Sequence, residues 1–198
     1  RKWSTQAREA APWYQHEELG YNYRMSNIIA GIVRGQYEHL EEHIARKKAI
    51  YMRYKEGFKD LPVQMNPYVE GEMEPNFWLS CMIIDEDAMC KQVRSEKEAM
   101  YAPEAGKSCP TEILETMAKY NAEGRPVWKP MHMQPIYRLN PFITKDGNGR
   151  ARSNAYIAGG VADVGMDIFE RGLCLPSDIN MTAEQQDIVI EIVKKCFE

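Results

Sequence analysis

Residues 20–27 read Gly20-Tyr21-Asn22-Tyr23-Arg24-Met25-Ser26-Asn27, and they lead directly into the longest helical pattern of the sequence. Two tyrosines alternate with an amide and a cation behind a turn-forming glycine. Ser26 or Asn27 is expected to cap the helix, because a short side-chain oxygen there accepts a hydrogen bond from a first-turn N–H. Two interpretations stay open: a capped helix start with Tyr21 and Tyr23 packed beneath it, or a binding site for an anion such as phosphate.

The helical pattern itself runs from Met25 to Phe58, longer than is usual for one globular helix. Gly31 and Gly35 weaken it, so we predict a bend near residues 35–41. His39 and His43 have the i,i+4 spacing of half a metal site. Because glutamates flank both histidines, we interpret them as exposed helix residues and predict no metal.

Composition limits the class of protein. The 198 residues are 44% hydrophobic and 27% charged, with a net charge of −4, which is typical of a globular protein without general affinity for nucleic acid or anionic membranes. We find no apolar run long enough for a membrane span and no signal peptide. The five cysteines include no CxxC pair, so we interpret them as reduced cytosolic thiols and predict a cytoplasmic protein. The start at Arg1 indicates a fragment.

Further elements follow the long helix. We predict a central strand over residues 77–84, a helix that begins at Asp85 and continues to Ala99, and a helix over residues 111–121. Residues 173–177 are predicted as a short strand. A capping box at Thr182 and Gln185 opens the last helix.

Prolines make residues 125–135 an extended, rigid segment that cannot be helical inside. It is expected to present Trp128, Lys129, His132 and Gln134. A histidine on such a backbone is a candidate base or hydrogen-bond donor, although a structural role is the other interpretation. Arg24, beside Asn22, has the planar fork that binds carboxylate or phosphate, or it pairs with a surface acid.

The order of elements predicts an α/β (α+β-like) fold. We expect an arm over residues 1–24, a long interdomain helix over residues 25–60 and a small α/β domain over residues 61–198, with a small sheet flanked by helices. No Gly-x-Ser-x-Gly elbow, Walker loop, His-Glu-x-x-His or dinucleotide fingerprint is present. Unaided, the residues point to sites at 20–27 and 125–135 without naming a reaction.

Four segments in this order and spacing resemble one family, the DegT/StrS pyridoxal-phosphate-dependent sugar aminotransferases. They are residues 17–27, the helix with Gln36 and Arg46-Lys47-Lys48, residues 130–135 and residues 172–177. The resemblance covers essentially the whole chain but only the C-terminal half of the family's fold. It implies the small domain of a fold-type I aminotransferase, a homodimer with active sites at the subunit interface.

The resemblance also implies roles for three residues. Asn22 would reach the pyridoxal-phosphate phosphate of the neighbouring subunit, Arg24 would lie near substrate, and His132 would face the sugar-nucleotide pocket. The reaction implied is transfer of an amino group, usually from glutamate, to a keto-sugar nucleotide in cell-surface or secondary-metabolite sugar biosynthesis. The cofactor supplies the electron sink.

One departure from the family decides what this chain can do. The family's Schiff-base lysine lies upstream of the segment that matches residues 20–24, so we predict no catalytic lysine here and no activity of the chain alone. Two other hypotheses stay open. One is a non-catalytic sugar-binding or regulatory module, and the other is a dimerisation module that uses the arm and residues 25–58. The identity of the sugar and the choice of C3 or C4 are not predicted.

Overall fold

In the computed structural model, two helices take up the long apolar pattern: α1 (Asn27–Tyr37) and α2 (Leu40–Gly57). The chain turns between them at Glu38 and His39. The N–H groups of both residues bond to the carbonyl of Gln36, which is a tightened last turn rather than a continued α-helix. The predicted bend is confirmed by this break.

The structure describes residues 2–7, 17–94, 98–134, 141–143, 150–152 and 163–198. Contacts divide the chain into two units, Arg1–His43 and Ile44–Glu198. In the described part, no helix is long and apolar enough to cross a bilayer.

The larger unit is built on an antiparallel sheet. Its elements after α2 are, in chain order, β1 (Val63–Met65), β2 (Ser80–Ile84), β3 (Lys91–Arg94), β4 (Ala99–Ala102), α3 (Pro110–Lys119), β5 (Arg125–Pro126), β6 (Pro141–Ile143), β7 (Arg150–Arg152), α4 (Val164–Arg171), β8 (Gly172–Leu175) and α5 (Ala183–Lys195). The main sheet has the order β1-β2-β8-β5, and β3-β4 and β6-β7 form separate hairpins. The predicted central strand and the predicted strand near residue 173 are therefore the two inner strands.

One face of the main sheet carries the core. Burial along β2 alternates, so Met82 and Ile84 point to the same side and pack with Leu173 and Leu175 of β8. Helices cover this face with apolar side chains from α2 (Ile50, Tyr54, Phe58), α3 (Ile113, Met117) and α5 (Val189, Ile190, Ile192, Val193). Cys81 and Cys174 consequently lie on the opposite face of the sheet.

Two helices of the larger unit, α3 and α5, agree with the sequence predictions. Thr182 accepts a hydrogen bond from the N–H of Gln185, and the Gln185 side chain returns one to the N–H of Thr182. The predicted capping box is thus confirmed, and α3 confirms the helix expected over residues 111–121.

Two sequence predictions are wrong. No α-helix begins at Asp85; residues Glu86–Ala88 form a single 3₁₀ turn, and the chain then enters the β3-β4 hairpin. The cause is a backbone pairing with a distant residue. The N–H of Ser108 donates to the carbonyl of Ala88, and the carbonyl of Ser108 accepts the N–H of Cys90, which holds this segment extended. Residues 125–135 are also not wholly extended: Met131–Met133 form a 3₁₀ turn that closes from Met133 N–H to the carbonyl of Pro130.

Candidate functional site

The segment before α1 is extended and held by residues of the N-terminal arm. Tyr21 donates its N–H to the Trp3 carbonyl over 2.7 Å, and Tyr23 donates to Ser4 over 3.1 Å. Asn22 forms a bridge with Thr5. This backbone pairing fixes which way successive side chains of the segment point.

The two tyrosines share one face of the segment. Their rings stack with centroids 5.1 Å apart and planes at 9°, and both remain largely exposed. The prediction that Tyr21 and Tyr23 pack beneath the helix is therefore wrong. Because alternate residues of an extended chain point to opposite sides, the Asn22 side chain lies on the other face; the chain then bends at Arg24.

Asn22 and Arg24 present hydrogen-bond donors beside a helix start. Both are exposed, and neither side chain has a hydrogen-bond or ion-pair partner among the described residues. Ser26 caps α1 by accepting from the N–H of Ile29 over 3.3 Å, which confirms the predicted cap. An amide, a guanidinium and the first-turn N–H groups thus occur within a few residues, and this donor set suits a phosphate or carboxylate.

His132 lies in the other unit and is held by a carboxylate. Its Nε2 is 2.5 Å from Oδ2 of Asp163, and the two side chains are only 16% and 5% exposed. The other oxygen of Asp163 accepts the N–H of Met166 over 2.9 Å and caps α4. One buried carboxylate therefore orients the imidazole and fixes the start of a helix. Such a carboxylate restricts the histidine to one ring orientation.

The residues that follow β5 line a cavity of about 560 Å³ at the end of β8. Trp128, Lys129, Phe169 and Ser177 are among its lining residues. Trp128 is 62% exposed, and its ring lies 5.8 Å from that of Trp78. Gln134 donates to the Lys129 carbonyl over 3.3 Å, so its amide supports the segment itself.

Burial lowers the pKa of Lys47. A lowered pKa is what a lysine needs for covalent chemistry with a carbonyl. Its ammonium, however, donates to two backbone carbonyls, that of Trp78 over 3.1 Å and that of Ser177. These bonds tie α2 to the end of the inner strand pair at which the chain enters β2 and leaves β8, so the geometry supports a structural role for Lys47.

Other described lysines form ion pairs on the surface, among them Lys48 with Glu70, Lys59 with Glu56 and Lys194 with Glu191. His39 is exposed and lies 3.9 Å from Glu42, and its ring is 6.1 Å from that of His43. Over the described ranges, no group of three or more His, Cys, Asp or Glu side chains has the geometry of a metal site.

Sequence reasoning missed Asp163, which is 31 residues from His132 and carries no local signal of the contact. Asn22 and Arg24 both lie exposed in the segment ahead of α1. His132 belongs to the unit Ile44–Glu198, with Asp163 as its partner.

Comparison with known proteins gives one consistent result. The profile of the DegT/DnrJ/EryC1/StrS aminotransferase family matches residues 2–194. The chain is 35% identical to the putative pyridoxal phosphate-dependent aminotransferase EpsN of Bacillus subtilis, over 98% of this chain and 42% of that protein. It is 26% identical to the GDP-perosamine synthase of Escherichia coli O157:H7, over 93% of this chain and 40% of that protein.

A solved structure agrees at the level of fold. The putative sugar aminotransferase Spr1654 of Streptococcus pneumoniae, in its PLP form, matches 100% of this chain and 43% of its own with a TM-score of 0.67 and 17% identity. The chain thus spans less than half the length of the relatives it matches. Its helices and small sheets correspond to a C-terminal portion of the fold-type I aminotransferase architecture.

Proposed function

Because the chain belongs to the DegT/DnrJ/EryC1/StrS aminotransferase family, we propose that it is the C-terminal portion of a pyridoxal-phosphate-dependent enzyme. The proposed reaction transfers an amino group from glutamate to a keto-sugar nucleotide. The cofactor, when bound, supplies the electron sink for this transfer, and the protein supplies binding, orientation and proton transfer. A location in the cytoplasm stays a prediction.

The observation that carries the proposal is the exposed donor segment ahead of α1. Asn22 and Arg24 are exposed in this segment, next to the capped start of α1. A phosphate dianion is bound by amide N–H groups and by the positive end of a helix, so these residues fit the phosphate of pyridoxal phosphate. We assign Asn22 to the cofactor phosphate and Arg24 to an anionic group of the substrate.

We assign His132 to the sugar-nucleotide pocket. Its contact with Asp163 supports this assignment, because a ring held at 2.5 Å by a nearly buried carboxylate is kept in one orientation for a ligand. The cavity beside Trp128 and Lys129 lies in the same unit and offers an aromatic face and a cation. An aromatic face can stack on a base or a sugar, and a cation can pair with a diphosphate.

We further propose that the chain alone is catalytically inactive. Covalent attachment of the cofactor and the proton transfers of amino transfer need a lysine amine that is free to react. Lys47, whose lowered pKa would suit that role, donates to two carbonyls instead. The reactive lysine is expected upstream of residues 20–24 in a longer protein.

The test uses a longer protein that carries both this sequence and the upstream domain. Asn22→Ala is expected to weaken pyridoxal phosphate binding by about 10-fold or more, since one hydrogen bond to a charged group contributes about 1.5–3 kcal/mol. Arg24→Ala and His132→Ala are expected to raise KM for the sugar nucleotide while cofactor affinity stays unchanged. Asn180→Ala, an exposed asparagine remote in sequence from these residues, is the matched control. Equal cofactor affinity of Asn22→Ala and Asn180→Ala would contradict the assignment.

A second candidate, a dimerisation module, is favoured by the exposed apolar face of α1. Ile28, Ile32 and Tyr37 are 78%, 60% and 73% exposed, and no residue of α1 is buried. Isolated exposed isoleucines are common, but a helix that exposes all its apolar residues usually meets a partner. We propose that this face contributes to the homodimer of the full-length protein.

A further inference from the structure

Two cysteines that are far apart in sequence face each other across the two inner strands. Cys81 of β2 is the direct register partner of Cys174 of β8, and their sulfur atoms are 3.5 Å apart. Both are free thiols in the structure. A sulfur–sulfur bond is about 2.05 Å long, so closure of the pair requires a movement of about 1.5 Å.

The backbone around Cys81 identifies the type of pair. Its N–H donates to Oδ1 of Asn66 over 2.9 Å, and its carbonyl accepts the N–H of Asn66 over 2.9 Å. Both groups of Cys81 are thus directed toward the β1 side and away from β8. Cys81 and Cys174 therefore form a non-hydrogen-bonded pair, the type in which opposite α-carbons are about 4.5 Å apart and side chains are closest.

That spacing decides what the pair can do. An α-carbon separation of about 4.5 Å is at the short end of the range seen in disulfides, so a disulfide forms there with little backbone movement. Disulfides at the edge of the allowed geometry store strain and are easily reduced. The position thus favours a reversible bond over a permanent one.

Access to the pair comes from the face of the sheet that the core does not cover. Cys81 is partly exposed, and Cys174, although only 4% exposed, lines the cavity at the end of β8. The hydrogen bond between the thiols lowers the pKa of Cys174, because it stabilises the thiolate there, and it raises the pKa of Cys81, which it keeps protonated. The other described cysteines, Cys90, Cys109 and Cys196, are not among the residues that line this cavity.

We propose that Cys81 and Cys174 are a reversible oxidation site that a hydroperoxide converts into a cross-strand disulfide. The thiolate of Cys174 attacks one peroxide oxygen, the O–O bond breaks, and the products are a Cys174 sulfenic acid and, with hydrogen peroxide, water. The Cys81 sulfur then attacks the Cys174 sulfur, the S–S bond forms as the S–O bond breaks, and the leaving hydroxide takes the proton of the Cys81 thiol to become a second water. Two thiols are oxidised, one peroxide is reduced, and a dithiol reductant reverses the change. The proposal is independent of the aminotransferase assignment.

The test treats the full chain with hydrogen peroxide in its folded state, alkylates the remaining thiols and maps peptides without reduction. We expect loss of two alkylatable thiols and one dominant cross-linked peptide pair that contains Cys81 and Cys174. Dithiothreitol is expected to restore both thiols. The same treatment in concentrated urea is expected to give mixed pairings, because the strand register that selects this pair is lost.

Variants separate the pair from general thiol oxidation. Cys81→Ser is expected to abolish the cross-link and to leave a Cys174 sulfenic acid that dimedone traps, whereas Cys196→Ser is expected to leave the cross-link unchanged. The wild-type peptide map decides the matter even if a variant folds poorly. The proposal would be overturned if Cys81 and Cys174 could still be alkylated after another cysteine had been oxidised. A dominant cross-link that contains Cys196 would overturn it as well.

Discussion

Asp163 contacts both a histidine 31 residues earlier in the sequence and the start of its own helix. Its two oxygens bind the His132 ring and the first turn of α4, and its side chain is 5% exposed. Removal of one partner from a buried polar pair leaves the other without its bond, which costs about 1–3 kcal/mol. The contact therefore links the stability of the unit to the orientation of the candidate substrate histidine.

We expect a double-mutant cycle of His132→Ala and Asp163→Ala to give a coupling of about 1 kcal/mol or more in the free energy of unfolding. Loss of the α4 cap costs the same free energy in the two variants that carry Asp163→Ala, with and without His132→Ala, so this cost cancels in the cycle. The matched cycle uses Glu191 and Lys194, an exposed pair with an expected coupling below about 0.5 kcal/mol. Urea unfolding of the four variants measures each coupling, and additivity of the His132 and Asp163 changes would contradict the contact.

Cys90 makes stability depend on alkaline pH. Burial, together with the neighbouring Cys109 thiol, raises the pKa of Cys90 to about 12. In the unfolded chain a cysteine ionises near pH 8.5, so the unfolded state loses its proton first and is favoured as pH rises. The stabilisation is complete below about pH 8.5 and declines toward about pH 12, by at most about 1.4 kcal/mol per pH unit.

We expect urea unfolding of the wild type to weaken more steeply than that of Cys90→Ala over this alkaline range. The difference between the two curves isolates Cys90 from other groups that ionise at high pH. Near neutral pH the variant is expected to differ only by a constant packing cost. Parallel curves for the two proteins from neutral to alkaline pH would contradict the raised pKa.

Local signals at the residue level were readable from the sequence, whereas contacts between distant residues were not. Ser26 and Thr182 were predicted as helix caps, because a cap is set by neighbours a few positions away. Asp163 was missed, and so was the proximity of Cys81 and Cys174, which depends on the register of two strands that are 93 residues apart. The interpretation in which Tyr21 and Tyr23 pack beneath α1 was wrong, because the two rings stack on each other instead.

At the scale of elements, Lys47 connects α2 to one end of the inner strand pair, where the chain enters β2 and leaves β8. Lys47→Met is expected to lower the free energy of unfolding by about 1–2 kcal/mol, because two carbonyl acceptors lose a charged donor. Lys55→Met, an exposed lysine of the same helix, is expected to change it by less than about 0.5 kcal/mol. Urea unfolding compares the two variants, and equal small effects would contradict the structural role of Lys47.

The elements also separate what the sequence predicts from what it does not. The inner strands and α3 were predicted, because apolar runs and turn residues bound them locally. Residues 85–99 were predicted as a helix because acidic residues at Asp85 are typical of a helix start. Ser108 instead pairs with this segment, and a partner 18 residues away from Cys90 leaves no trace in local spacing.

At the scale of the whole molecule, α1 stands out because its apolar residues Ile28, Ile29, Ile32 and Val33 are all exposed. If α1 forms part of the proposed homodimer interface, Ile28→Glu with Ile32→Glu shifts the full-length protein toward monomer, because two charges would be buried there. Gln36→Glu adds one charge to the same helix without loss of apolar area and is the control. Sedimentation velocity measures the shift. An unchanged dimer in the double variant would show that α1 lies outside the interface.

The family and the described lysines together define the central claim. The chain spans about 42% of its relative EpsN, and we propose that the donor segment ahead of α1 binds the cofactor phosphate. Lys47, whose pKa burial lowers, donates to two backbone carbonyls. The chain is thus proposed to bind parts of cofactor and substrate while another part of a longer protein holds the cofactor covalently.

The most direct test is a titration of the 198-residue chain with pyridoxal phosphate, followed by borohydride reduction and peptide mass mapping. We predict no saturable visible absorption band and no single labelled lysine, whereas a longer protein with the upstream domain gives both. A saturable band with one stoichiometrically labelled lysine among residues 1–198 would contradict the account and would place the reactive lysine in this chain.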